Sequence, residues 1–338
     1  MKRAIRFGTG ALADLGELAA ELGLERLLLV TTGRFAARAA ELPVVGVYAG
    51  VRSHVPVESV REAAALAADA DADGLVALGG GSAVDTCKAV VAELLAAREL
   101  ATIAVPTTYA GAEWTPYFGV LQAPGRKGGG ADERARPAGA VYDPELQLGL
   151  PLAETVGTAL NALAHCAEAY YVPQRSDRGD RHADCGAVAI GYALPLVVAE
   201  PGSLYARTRL LEGAMRAALA LGETGLALAH AMAQALGGRY GLPHGAMNAL
   251  CLPPALRFNE PAVPEAVARF GRALRSDDPA RRVEELARLG GFERLRDLGV
   301  PEAELDEVAA AAAARPGARA NPRPAGAEEI AALLRSIW

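Results

Sequence analysis

Gly79-Gly80-Gly81-Ser82 is the stretch that most narrows what this chain can fold into. It follows the apolar run Gly74 to Leu78 and opens the helical pattern Ser82 to Leu95. A glycine-rich turn between strand and helix exposes bare backbone N–H groups beside the positive end of the helix, the arrangement that cradles a pyrophosphate. Taken alone, the same four residues also suit a plain tight turn with Ser82 as N-cap. The surrounding pattern favours the phosphate reading.

That pattern is a series of short apolar runs, Leu27 to Thr31, Val44 to Tyr48, Gly74 to Leu78 and Thr102 to Val105, each read as a buried parallel strand. Pro56 to Ala70 and Ser82 to Leu95 read as helices, giving the βαβαβ order of a Rossmann-like open sheet, with ligands expected at the carboxyl ends of the strands. After Asp143-Pro144 the strand signals fade into alanine- and leucine-rich helical patterns, and Leu150-Pro151 suits a helix start. The expected organisation is an α/β dinucleotide-binding domain over residues 1–150 and an all-α domain over 151–338 that carries the substrate site. A chain of 338 residues is long for one core and suits two. Ala123 to Pro137, rich in Gly, Pro and Arg, reads as an exposed, mobile hairpin or loop. Gly8 and Gly10 read as a turn, since Ala13 stands where a third glycine would complete GxGxxG. The run Ala309 to Ala314 reads as helix.

Composition excludes several classes. A net charge of −6 with 51% hydrophobic residues fits neither a disordered chain nor a nucleic-acid binder. Cys87, Cys166, Cys185 and Cys251 form no CxxC pair, so neither a zinc knuckle nor a disulfide framework is indicated and a reducing compartment is expected. The start, from Met1-Lys2-Arg3, lacks an apolar core, and the most apolar later stretch, Ala187 to Ala199, is short and contains Pro195. The expectation is a cytoplasmic protein without membrane attachment.

From Gly79 to Lys88 the sequence GGGSAVDTCK resembles the GGGSxxDxxK signature of iron-containing alcohol dehydrogenases. Val105 to Pro116, with its TTYAG core, is similar to the second cofactor loop of that family in the form found in maleylacetate reductases. Val141 to Leu146, Gly157 to Tyr170 and Asn321-Pro322-Arg323-Pro324 extend the resemblance over essentially the whole chain. It implies the dehydroquinate synthase-like/iron-containing alcohol dehydrogenase fold, NAD(H) or NADP(H) as cofactor, and a homodimer. The implied cofactor-binding set is Thr32, Gly79, Gly80, Gly81, Ser82, Asp85, Lys88, Thr107, Thr108 and Gly111.

Metal-binding members of the family place an Asp and a His four residues apart on one helix face, followed by two more His. Here the matching positions are Asn161, His165, His230 and His244, so a neutral amide replaces the anionic ligand. This Asn is common among maleylacetate reductases, and the resemblance implies an enzyme working without a tightly held metal. A three-nitrogen zinc or iron site built from His165, His230 and His244 stays open as the alternative. Gln234 stands one helical turn beyond His230, where many relatives carry another histidine. That departure admits a different substrate, one from a specialised biosynthetic pathway included. His165, His230, His244 and Tyr109 are the candidate catalytic residues, with Asn161 and Gln234 in the substrate pocket; His54 and His182 match no motif.

The implied activity is NAD(P)H-dependent reduction of a conjugated keto acid or related enone, with a histidine or hydroxyl as proton donor. Two other readings remain: a metal-dependent alcohol dehydrogenase or aldehyde reductase, and a homologue without redox turnover that binds a partner or performs non-redox chemistry. Thr31-Thr32-Gly33-Arg34-Phe35 carries no acid where relatives preferring NAD often have one, and Arg34 and Arg38 suit either a 2′-phosphate or a solvated face. The choice between NADH and NADPH is open at this point.

Overall fold

The computed structural model describes residues 3–123 and 126–338, so Met1 and Lys2 of the basic start and Pro124-Gly125 of the Gly/Pro-rich segment lie outside it. The chain divides into two compact units. One comprises Met1–Thr108 with Ala112–Gly149, the other Tyr109–Gly111 with Leu150–Trp338.

In order, the first unit contains β1 (Ala4–Phe7), α1 (Leu15–Glu21), β2 (Leu27–Thr31), β3 (Val44–Tyr48), α2 (Val57–Asp69), β4 (Gly74–Gly79), α3 (Gly81–Leu94), β5 (Ala101–Pro106), β6 (Tyr117–Ala123), β7 (Arg126–Ala131) and β8 (Gly139–Tyr142). Six strands form one parallel sheet in the order β1-β8-β5-β4-β2-β3, while β6 and β7 pair antiparallel as a separate hairpin. The central strands β2 and β4 are buried along their whole length. Alternate residues feed two cores. Leu28, Val30, Leu75, Ala77 and Ala104 join α2 and α3 on one face, whereas Leu27, Leu29, Val76, Leu78, Ile103 and Val105 join α1 on the other. Each such Leu or Val contributes roughly 1.5–3 kcal/mol by leaving water, and burial on both faces explains why the runs are continuously apolar.

The strands expected from those runs form within a residue or so of their predicted limits, as do α2 and α3. Three elements carried no comparable signal. β1 is an edge strand, alternately half-buried and exposed, and β8 is built partly from Gly139 and Ala140, which have low strand preference. The link from β2 to β3 is a 3-10 segment, Gly33–Glu41, with no buried residue. The segment read as a hairpin or loop supplies β7, whose glycines pack against β6.

The second unit contains α4 (Leu152–Ala169), α5 (Asp177–Ala199), α6 (Leu204–Glu223), α7 (Leu228–Tyr240), α8 (His244–Asn259), α9 (Pro264–Leu274), α10 (Pro279–Arg288), α11 (Leu305–Ala313), α12 (Pro316–Ala320) and α13 (Ala327–Ser336), and no strand among the described residues. α4 starts just after Pro151, whose fixed φ suits the residue preceding a helix, and buries nearly its full circumference against α5, α6, α8 and α10. α5 is the one described helix long and apolar enough to cross a membrane; its buried face packs on α4, α6 and α9 in the manner of a core helix. A glycine contact fixes where α8 crosses α4. A Cβ on Gly245 would lie 2.4 Å from the carbonyl carbon of Gly157, so only glycine permits this approach. The crossing sets His244 and Asn248 of α8 beside Asn161 and His165 of α4.

Candidate functional site

In the first unit, register places the ends of β4 and β5 side by side, with Gly79 opposite Pro106. The Thr107 N–H then donates to the Gly79 carbonyl at 2.9 Å, tying the two following loops together. Helix α3 begins with Gly80 as its N-cap, no side-chain cap and no acid in its first turn. Its leading N–H groups are therefore left for a ligand, and the helix end favours an anion. Room is tight: a Cβ on Gly80 would stand 2.9 Å from the Thr108 methyl, and one on Gly79 2.8 Å from Ala83 Cβ. Gly79, Gly80, Gly81, Ser82, Thr107 and Thr108 are thus gathered at one strand edge. Ser82 lies inside α3, so the turn is not the Ser-capped one that its sequence also allowed.

Asp85 and Lys88 sit one turn further along α3. The Lys88 side chain is fully buried, and its ammonium donates to Asp85 Oδ1 (3.2 Å), Thr115 Oγ1 (3.1 Å) and the carbonyls of Ala112 and Tyr117 (2.7 Å each). Burial pulls its pKa down and Asp85 opposes that pull. Asp85 Oδ2 also accepts from the Gly119 N–H at 3.3 Å. The Lys88 donors hold the loop that follows β5 and strand β6 onto α3. Thr32, in extended conformation at the head of the 3-10 segment, uses its side chain in no cap. Arg34 donates to the Gly149 carbonyl and Arg38 pairs with Glu41.

The second unit brings three histidines together. His165 and His230 stack, with ring centroids 4.8 Å apart and planes at 14°, and His244 lies 5.8 Å from His230. His165 and His230 are 3% and 1% exposed, whereas His244, the first residue of α8, is exposed. Asn161 connects the set. Its Nδ2 donates to the Ala110 carbonyl (3.0 Å) and lies 3.5 Å from His165 Nε2, and its Oδ1 accepts from Asn248 Nδ2 (2.8 Å). Asn248 Nδ2 also stands 3.0 Å from His244 Nε2. Burial, then the neighbouring imidazoles of His230 and His244, hold His165 well below the ordinary histidine pKa, so it is neutral.

Behind His230 stands Glu168, also on α4 and fully buried. Its Oε2 lies 2.7 Å from His230 Nδ1 and 2.7 Å from the Ala227 N, and its Oε1 accepts from the His230 N–H at 3.2 Å. Two of these donors are the opening N–H groups of α7, which has no cap of its own. The carboxylate therefore serves as a remote cap while fixing the proton of His230 on Nδ1. That leaves His230 Nε2 buried with no partner, together with His165 Nδ1 and Asn248 Oδ1. A buried polar atom without a partner costs about 1–3 kcal/mol, and three in one cluster mark a place where a ligand completes the hydrogen bonding.

Other expected residues fall elsewhere. Tyr109 is fully buried, its hydroxyl accepts from Arg207 Nη1 at 3.2 Å, and burial raises its pKa. Gly111 groups with the histidines, its α-position facing Ala218 and His165, rather than with Thr107 and Thr108. Gln234 bonds to Arg315. His54 and His182 stay outside the cluster, His182 on α5. Glu168, Asn248 and Arg315 were not singled out from sequence. The first two had a local signal, a polar residue on an apolar helix three or four residues from a histidine; Arg315 is 81 residues from its partner and had none.

The chain is similar to known proteins along nearly its whole length. Residues 2–144 match the family described as iron-containing alcohol dehydrogenase, and residues 155–338 match the C-terminal part of the Fe-containing alcohol dehydrogenase family. The maleylacetate reductase of Sphingobium indicum is 38% identical over 335 residues, covering 97% of this chain and 93% of that protein. The crystal structure of maleylacetate reductase from Rhizobium sp. strain MTP-10005 superposes with a TM-score of 0.92 at 34% identity, covering 100% of this chain and 96% of the other. A sulfoacetaldehyde reductase from Bifidobacterium kashiwanohense, solved in complex with NAD+, gives 0.90 at 25% identity, with 99% and 96% covered.

Proposed function

Because the chain belongs to the iron-containing alcohol dehydrogenase family, and is an oxidoreductase, we propose that it reduces a conjugated keto acid of the maleylacetate type with NADH or NADPH. The observation that carries the reading is the histidine cluster with its three unpartnered buried atoms and Asn161 at the centre. His165 Nδ1 and, once protonated, His230 Nε2 can donate to the acceptor's oxygens, of which an enone bearing carboxylates offers more than a simple aldehyde does.

In this reading the glycine turn, Ser82, Thr107 and Thr108 bind the dinucleotide, with NAD(H) supported by the NAD+-bound relative. The nicotinamide supplies a hydride to the carbon β to the ketone, and negative charge moves onto the enolate oxygen. A donor near that oxygen lowers the barrier, and a proton delivered to the α carbon completes the saturated product. His230 is the residue suited to that proton: Glu168 accepts from its Nδ1–H, and a proton taken up on Nε2 from solvent passes from there to the α carbon. Neutral His165 and the Asn161–Asn248 pair orient the substrate.

The donor set does not suit a divalent cation. The position of the family's anionic ligand is Asn161, which offers only a neutral amide oxygen, and that Oδ1 already accepts from Asn248 Nδ2. The proposal therefore routes no step through a metal. The homodimer belongs to the same proposal, supported by Val188, Tyr192 and Leu196, exposed every fourth residue along α5.

Product analysis with deuterated cofactor tests the reaction type. Deuterium on the carbon β to an intact ketone is the expected result; deuterium on a carbinol carbon would instead indicate an alcohol dehydrogenase.

A further inference from the structure

Gln234 lies four residues after His230 on α7, one turn along the same face. Its Oε1 accepts from Arg315 Nη1 and its main-chain carbonyl from Arg315 Nη2, both at 3.2 Å. These two neutral acceptors hold one guanidinium. No carboxylate pairs with Arg315 among the described residues, and its Nε is buried without a partner.

A guanidinium has five N–H donors in one plane, and Gln234 takes two. The Nε–H and the second hydrogen of Nη2 form the side-on edge that grips both oxygens of a carboxylate. Burial lowers the Arg315 pKa, yet an arginine remains charged, so the structure carries a half-buried cation whose counter-ion is missing. An arriving anion offsets that cost. The arrangement also gives the glutamine a reason to stand here: a protonated histidine in its place would repel the guanidinium, whereas an amide oxygen accepts from it.

We propose that Arg315, positioned by Gln234, is the anion subsite of the substrate pocket and binds the carboxylate of the acceptor remote from the carbon that takes the hydride. This deepens the reductase reading above and rests on it for the identity of the substrate.

The test uses full-length protein loaded with NAD+ and two probes, maleate and its dimethyl ester, in calorimetric titration. Unmodified protein is expected to bind maleate and not the ester. Arg315→Ala should weaken maleate binding about 10- to 100-fold, with NAD+ affinity within about twofold of unmodified protein. Arg315→Lys keeps the charge but not the fork and should recover part of the loss, and it serves as the informative variant if the alanine form does not fold. Gln234→Leu removes one of the two acceptors and should raise KM for the keto acid while leaving kcat nearly unchanged. Maleate binding that is equally tight after Arg315→Ala, or no better than ester binding in unmodified protein, overturns the proposal. If binding depends on Arg315 but maleylacetate is not reduced, the subsite stands and the substrate assignment falls; reduction with an unchanged KM in Arg315→Ala gives the reverse.

Discussion

The two units build their sites from different materials. The cradle of the first unit is made of backbone: glycines, an uncapped helix start and two strand ends in register. The cluster of the second is made of side chains whose value depends on one another: Glu168 fixing His230, Asn161 bridging Asn248 to His165, Gln234 holding Arg315. A backbone site tolerates variation in its side chains as long as space is kept. A side-chain network fails at any member, because each removal strands a buried partner.

The largest contrast should come from His230→Ala. Loss of the proton donor is expected to lower kcat by about 10²- to 10⁴-fold while the NADH dissociation constant stays within about twofold. A parallel loss in cofactor binding would show that the two sites are not separable. Glu168→Gln removes the carboxylate that fixes the His230 proton and caps α7. A fall in kcat of about 10- to 100-fold is expected, with a lower melting temperature and little change in KM; unaltered kcat would reduce Glu168 to a structural cap. Gly80→Val tests the opposite side. Its branched side chain meets the Thr108 methyl and should weaken NADH binding about tenfold or more. The pH stability of the second unit should be untouched by that change.

That pH dependence is the smallest effect. His165 is held well below the ordinary value of 6.5 when folded, so below about pH 6.5 the unfolded chain takes up a proton that the folded chain refuses. Stability therefore falls as pH drops through this range, by up to about 1.4 kcal/mol per unit, and is fully present above it. Chemical denaturation of the unmodified protein and of His165→Asn between pH 7 and 5 measures the difference in slope; equal slopes would remove the assignment.

Legibility followed the same division. The glycine turn, the paired strands β2 to β5 and the helical second half were readable because each rests on local pattern: continuous apolar runs for strands covered on both faces, helical period, glycine where space is short. The histidines and Asn161 were readable through their motif. What the motif hid was which atoms are used. Lys88 and Tyr109 look chemical in sequence, yet packing turns their polar ends inward, to two carbonyls, Thr115 and Asp85 in one case and to Arg207 in the other. Arg315 acquires a partner only through the packing of α12 against α7, a pairing that no local pattern announces. Edge strand β1 was hidden for a different reason: half of its side chains face solvent and its hydropathy is weak.

The central claim is that this cluster, with Asn161 in place of the acid, supports reduction without a metal. Its most direct test is NADH oxidation with maleylacetate by protein stripped of metal with a chelator and then dialysed, compared with the same protein given zinc or ferrous iron. The account predicts turnover in the stripped protein and less than about a twofold change on adding either metal. Turnover that vanishes on stripping and returns with zinc or iron would contradict it.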